Sequence, residues 1–73
     1  MTNADKLQSL ATIEGQTVEE LLEVAFIDSV VPGICKEPEC DYTTGVEPDS
    51  RGGWCENCGT GTVVSCMVLA GII

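Results

Sequence analysis

Cys35-Lys36-Glu37-Pro38-Glu39-Cys40 and, after fourteen intervening residues, Cys55-Glu56-Asn57-Cys58-Gly59 set out four thiols in two pairs. Zinc takes four soft ligands in a tetrahedron, and a short Cys-to-Cys turn delivers two of them from one bend. Gly59 permits the backbone to fold under the ion after the second pair. The first pair is looser, with four residues between its cysteines, and Pro38 stiffens that longer bend. Two such turns at one end of a hairpin close a site. Cys35, Cys40, Cys55 and Cys58 are therefore the expected ligands of one structural metal ion, Zn2+ by preference. A set of buried free cysteines is the plain alternative, and it leaves the pairing unexplained.

The chain has 73 residues and five cysteines. A single domain of this size buries a modest core and usually needs a staple, either a metal or disulfides. The odd cysteine count argues against a closed disulfide set. Residues 1–10 carry one lysine and no apolar run of the kind a secretory leader needs. The longest apolar segment, residues 63–73, is interrupted by Ser65 and Gly71, well short of the roughly 20 residues of a spanning helix. A cytoplasmic location is the expectation, and there reduced thiols at paired spacings favour metal. Cys66 lies in the apolar run. It can be imagined as a competing ligand or a redox thiol, but such a cysteine is more often a small core residue.

Residues 1–31 read as a helical segment and residues 32–73 as the metal-binding part of the same domain. Asn3 is a candidate cap for a helix over residues 4–14, with Leu7, Leu10 and Ala11 on one face and Gly15 as its stop. Thr17-Val18-Glu19-Glu20 fits a capping box that opens a second helix. Val18, Leu21, Leu22 and Ala25 form its apolar stripe, with Phe26 at the edge. Glu19, Glu20 and Glu23 face away, the first two suiting the positive end of the helix dipole. Pro32-Gly33 bars further helix. Glutamates stand where a DNA-recognition helix needs groups that contact bases and phosphates. The pair therefore reads as a helical hairpin covering the metal module.

Beyond residue 33 the pattern turns to β. Tyr42-Thr43-Thr44-Gly45-Val46 favours a strand, residues 47–53 form a turn, and Trp54 leads into Cys55, which together predict a hairpin. Residues 59–62 read as a loop. The stretch from Val63 to Ala70 is apolar on nearly every side. Its β-branched valines favour a strand, whereas Thr62 and Gly71 suit the ends of a helix, and length does not decide between them. The strand, completing a three-stranded ribbon, is the slight preference. The expected fold class is α+β: an N-terminal helical hairpin followed by a small β-module with one four-cysteine site.

Cys40-Asp41-Tyr42 and Trp54-Cys55-Glu56-Asn57-Cys58-Gly59 resemble the two knuckles of the rubredoxin-like zinc ribbons. Residues 31–35, 46–49, 53–55 and 69–73 resemble short, mostly uncharacterised zinc-ribbon proteins of phages and bacteria. The resemblance implies a zinc-ribbon fold and a bound metal, and almost nothing about activity. The long first knuckle departs from the rubredoxin pattern and argues against an iron redox role.

Twelve acids against three bases give a net charge of −9. Binding a phosphate backbone takes clustered Lys and Arg, and only Lys6, Lys36 and Arg51 are present. The charge balance thus argues against direct nucleic-acid binding. Histidine is absent, which removes the usual general base and the Ser-His and Cys-His pairs. A site closed by four cysteines leaves no position for substrate. A non-enzymatic module that binds a protein partner, with a regulatory place in nucleic-acid machinery, is the first expectation. An acidic inhibitor or DNA mimic of phage type is the second, and a rubredoxin-like iron electron carrier the third.

Overall fold

The computed structural model describes residues 2–73. Helices α1 (Asn3–Glu14) and α2 (Val18–Ala25) precede strands β1 (Val31–Cys35), β2 (Thr43–Val46), β3 (Gly53–Cys55) and β4 (Thr60–Ser65), and a one-turn helix α3 (Cys66–Leu69) follows. The fold is α+β: N-terminal helices followed by an antiparallel four-stranded sheet that carries the four-cysteine cluster.

The cap of α1 is Thr2, one residue before the expected Asn3. The reason is reciprocity. Thr2 Oγ1 accepts from the Asp5 backbone N–H at 3.2 Å, and the Asp5 carboxylate accepts from the Thr2 N–H at 3.0 Å. A cap at Asn3 would place Lys6, which has no acceptor, in the returning position. The Thr2 bonds also lower the Asp5 carboxyl below its usual range. Gly15 closes α1, with the Gln16 N–H reaching back to the Ala11 carbonyl at 2.9 Å. The capping box of α2 forms as read, Thr17 with Glu20. Of its stripe Leu21 and Ala25 are buried, while Phe26 lies outside the helix and is exposed.

The sheet order is β2-β1-β4-β3. This corrects the expected hairpin, because β2 and β3 do not pair; they form opposite edges with β1 and β4 between them. Burial explains the arrangement. β1 supplies fully buried Val31, Ile34 and Cys35, and β4 supplies buried Val63, Val64 and Ser65. The short β2 and β3, of which only Cys55 is fully buried, are left for the edges. The register Ile34↔Val64 and Cys35↔Val63 puts the first pair in the helix-facing core and the second among the metal-site cysteines, as the two-residue period of a strand requires. Pro32 lies beyond the β4 register, which starts at Gly33, so its missing N–H falls where only β2 is a neighbour. Gly33 is held by close approach: a Cβ there would stand 2.7 Å from Val46 Cγ2 and 3.0 Å from the Val64 carbonyl oxygen.

Two further expectations change. Thr60–Thr62 belong to β4, not to a loop, and the apolar run is strand to Ser65 and helix from Cys66. The switch occurs at Ser65, which is fully buried. Its Oγ accepts from the Val68 N–H at 3.1 Å, capping α3, and donates to the Pro48 carbonyl. Its own N–H donates to the Ser50 carbonyl at 3.0 Å. The loop that crosses from β2 to β3 is thereby tied over the end of β4. Leu7, Leu10 and Ala11 of α1, with Leu21 and Ala25 of α2, pack on Val31, Ile34, Val64, Cys66, Met67 and Leu69.

Candidate metal centre

Cys35 ends β1, Cys55 ends β3, and Cys40 and Cys58 sit in the turns that follow Cys35 and Cys55 respectively. The structure brings all four together, with their sulfurs within 4.8 Å of one another. Cys35 Sγ stands 3.8 Å from Cys58 Sγ, and Cys40 Sγ stands 3.7 Å from Cys55 Sγ. A tetrahedron with metal–sulfur bonds of about 2.3 Å has sulfur–sulfur edges of about 3.8 Å. The donor set therefore fits a metal ion in both chemistry and size, and each close pair joins one cysteine of the first turn to one of the second. Cys35, Cys40 and Cys55 are buried and Cys58 is exposed.

The second turn organises itself. The Cys58 N–H donates to Cys55 Sγ at 3.3 Å, and the Gly59 N–H donates to the Cys55 carbonyl at 2.8 Å. Gly59 has φ +68°, a left-handed conformation that side-chain-bearing residues resist. The Asn57 amide reaches across to donate to Cys40 Sγ at 3.4 Å, and Thr62 Oγ1 lies 3.0 Å from Cys35 Sγ. The first turn has one internal bond, Cys40 N–H to the Glu37 carbonyl at 3.1 Å. Its two ends are carried by the sheet, with the Cys35 N–H on the Tyr42 carbonyl and the Lys36 N–H on the Thr62 carbonyl, both at 2.9 Å.

Electrostatics separate the thiols. The Asn57 amide, and then the Tyr42 backbone, hold the Cys40 thiol down at about 6. The hydrogen bond to Cys40, and then loss of solvent around the clustered sulfurs, push Cys58 up to about 12. The negative sulfur of Cys40 thus makes Cys58 keep its proton. A cation in the centre reverses this, since it stabilises every thiolate at once and releases the protons.

Lys6 and Thr62 escaped the sequence reading as members of this neighbourhood. Lys6 Nζ, on α1, donates to the carbonyls of Glu37 and Cys40, and the residue is only 3% exposed. Its signal was its spacing: Lys6 stands four residues before Leu10, on the apolar side of an otherwise acidic segment. Thr62 carried no signal apart from its place in β4. Cys66 lies in the helix-facing core, outside the cluster of four, and burial pushes its thiol up. No helix among the described residues is long and apolar enough to cross a membrane. Comparison with known proteins finds no matching family model, no matching curated protein and no matching solved structure.

Proposed function

We propose that this chain is a non-enzymatic zinc-ribbon module, held together by one zinc ion on Cys35, Cys40, Cys55 and Cys58, and that it serves by binding a protein partner. The observation that carries the reading is the four-sulfur cluster, all within 4.8 Å, with two of its edges at the tetrahedral length. Four cysteine ligands complete the coordination of zinc, so the ion acts as a staple and not as a Lewis acid. The lengthened first turn favours zinc over a rubredoxin-like iron. Elemental analysis of protein produced with both metals available is expected to give one zinc per chain. A red, reversibly reducible iron form as the main product would replace this reading with electron transfer.

The partner surface is assigned to exposed apolar side chains that the core does not use. Trp54 is 62% exposed beside Cys55, and Phe26 and Ile27 are 64% and 84% exposed after α2. Ile72 and Ile73 are partly exposed as well. Exposed apolar side chains support interface use where they gather into one patch. Of the three basic residues, Lys6 is buried in the fold, leaving Lys36 and Arg51 at the surface. Labelled duplex and single-stranded DNA are therefore expected to show no change in anisotropy at physiological salt. Binding at micromolar protein that weakens with added salt would count against the assignment.

A further inference from the structure

We propose that Lys6 is a positioning residue of the metal centre, and that through it the metal affinity depends on the docking of α1. The proposal rests on the metal reading above and concerns what shapes the first turn. The two turns are unequal. The second carries its own N–H···S and N–H···O bonds and its left-handed glycine. The first spans four residues, has a single internal bond, and turns two carbonyls, those of Glu37 and Cys40, toward α1. Both are received by one Nζ.

That Nζ belongs to a side chain with 3% exposure, and the two carbonyls are 31 and 34 residues away in the chain. A buried ammonium needs more than the partial charge of carbonyl oxygens to offset its lost hydration. Four thiolates around a divalent ion leave a net negative centre, and Cys40, whose carbonyl Lys6 holds, contributes one of them. The contact therefore does two things. It fixes the peptide that aims Cys40 Sγ, as outer-shell hydrogen bonds do for metal ligands generally. It also sets a fixed positive charge against a centre that becomes a charged complex on loading. By linkage, whatever Lys6 adds to metal affinity the metal returns to the docking of α1.

The test compares Lys6→Met with Gln8→Met, a substitution on an exposed position of the same helix. Zinc affinity is measured by competition with a chelator, and cysteine alkylation of the zinc-loaded protein, before any chelator is added, is followed by mass spectrometry. Lys6→Met is expected to weaken zinc binding by about tenfold to a hundredfold, with Cys35 and Cys40 alkylated ahead of Cys55 and Cys58. Gln8→Met should match the parent. Equal affinity in Lys6→Met, or uniform alkylation of all four cysteines, overturns the role of Lys6 while leaving the metal site standing. A parent chain that binds no zinc overturns the metal reading itself. Should Lys6→Met fail to fold, 15N-lysine NMR of the unaltered zinc-loaded protein decides. The Lys6 ammonium protons are expected to exchange with water much more slowly than those of exposed Lys36, and equal exchange overturns the proposal.

Discussion

Withdrawal of the metal by a strong chelator is expected to unfold the whole chain in one transition, and Cys55→Ser or Cys58→Ser should do the same. Structural zinc binding is worth on the order of 10 kcal/mol in small zinc domains, comparable to the entire stability of a typical domain and more than a chain of this size holds in reserve. The helices do not survive by themselves. The buried faces of α1 and α2 pack on Val31, Ile34 and Val64 of the sheet, and helices of 12 and 8 residues are marginal in water without such packing. β1 and β3 each end on a cysteine of the four-sulfur cluster, so loss of an ion held there would release both the centre and one edge of the sheet. Acidification works in the same direction as chelation, because each thiolate regains its proton. Far-ultraviolet circular dichroism and Trp54 fluorescence should report a single shared midpoint. A chelated or serine-substituted protein that melts like the parent would remove the cluster from its structural role.

Leu10→Ala is expected to cost about 2–5 kcal/mol in the metal-loaded protein, enough to leave a substantial unfolded population. Leu10 is fully buried, and it belongs to the core that joins α1 to Ile34, Val64 and Met67. Truncation removes its transfer free energy and leaves a cavity that the sheet, pinned by the centre on its other face, cannot close by collapsing. Phe26→Ala supplies the comparison. Phe26 is larger but 64% exposed, so its truncation should lie within about 0.5 kcal/mol of the parent. Urea midpoints of the two variants, measured with zinc in excess, test the pair. A Phe26 effect as large as that of Leu10 would mean that the stretch after α2 is packed in solution.

Local patterns in the chain settled what local physics controls. Thr17 and Glu20 lie three residues apart, so their reciprocal bonds form whatever the rest of the chain does. Gly15 ends α1 for the same reason, and Leu7, Leu10 and Ala11 face the core because a helix places them on one stripe. The pairing of the cysteines carried the proposed ligand set, since two short turns separated by a β-rich segment have few other ways to use four thiols. The α+β class followed from the change of period near Pro32-Gly33.

Strand order was beyond the reach of such patterns. Val46 and Gly53 are separated by a turn-like stretch, and proximity in sequence argues for pairing them. In the folded chain β1 and β4 take the centre, because their valines and isoleucine bury more apolar surface there than Thr43, Thr44 and Gly45 of β2 do. The division of the apolar run at Ser65 depends in the same way on Pro48 and Ser50, which are distant in sequence and present the carbonyls that its hydroxyl and N–H require. Lys6 is the clearest case. As a residue in an acidic helical segment it reads as one more surface charge, and only the packing of α1 against the first cysteine turn supplies the two carbonyls that bury it. The sequence by itself determined the two N-terminal helices, the strand at Thr43–Val46 and the thiols that cluster. The tertiary structure decided which strands are central and where Lys6 is buried, because both depend on partners more than ten residues away competing for the same buried space.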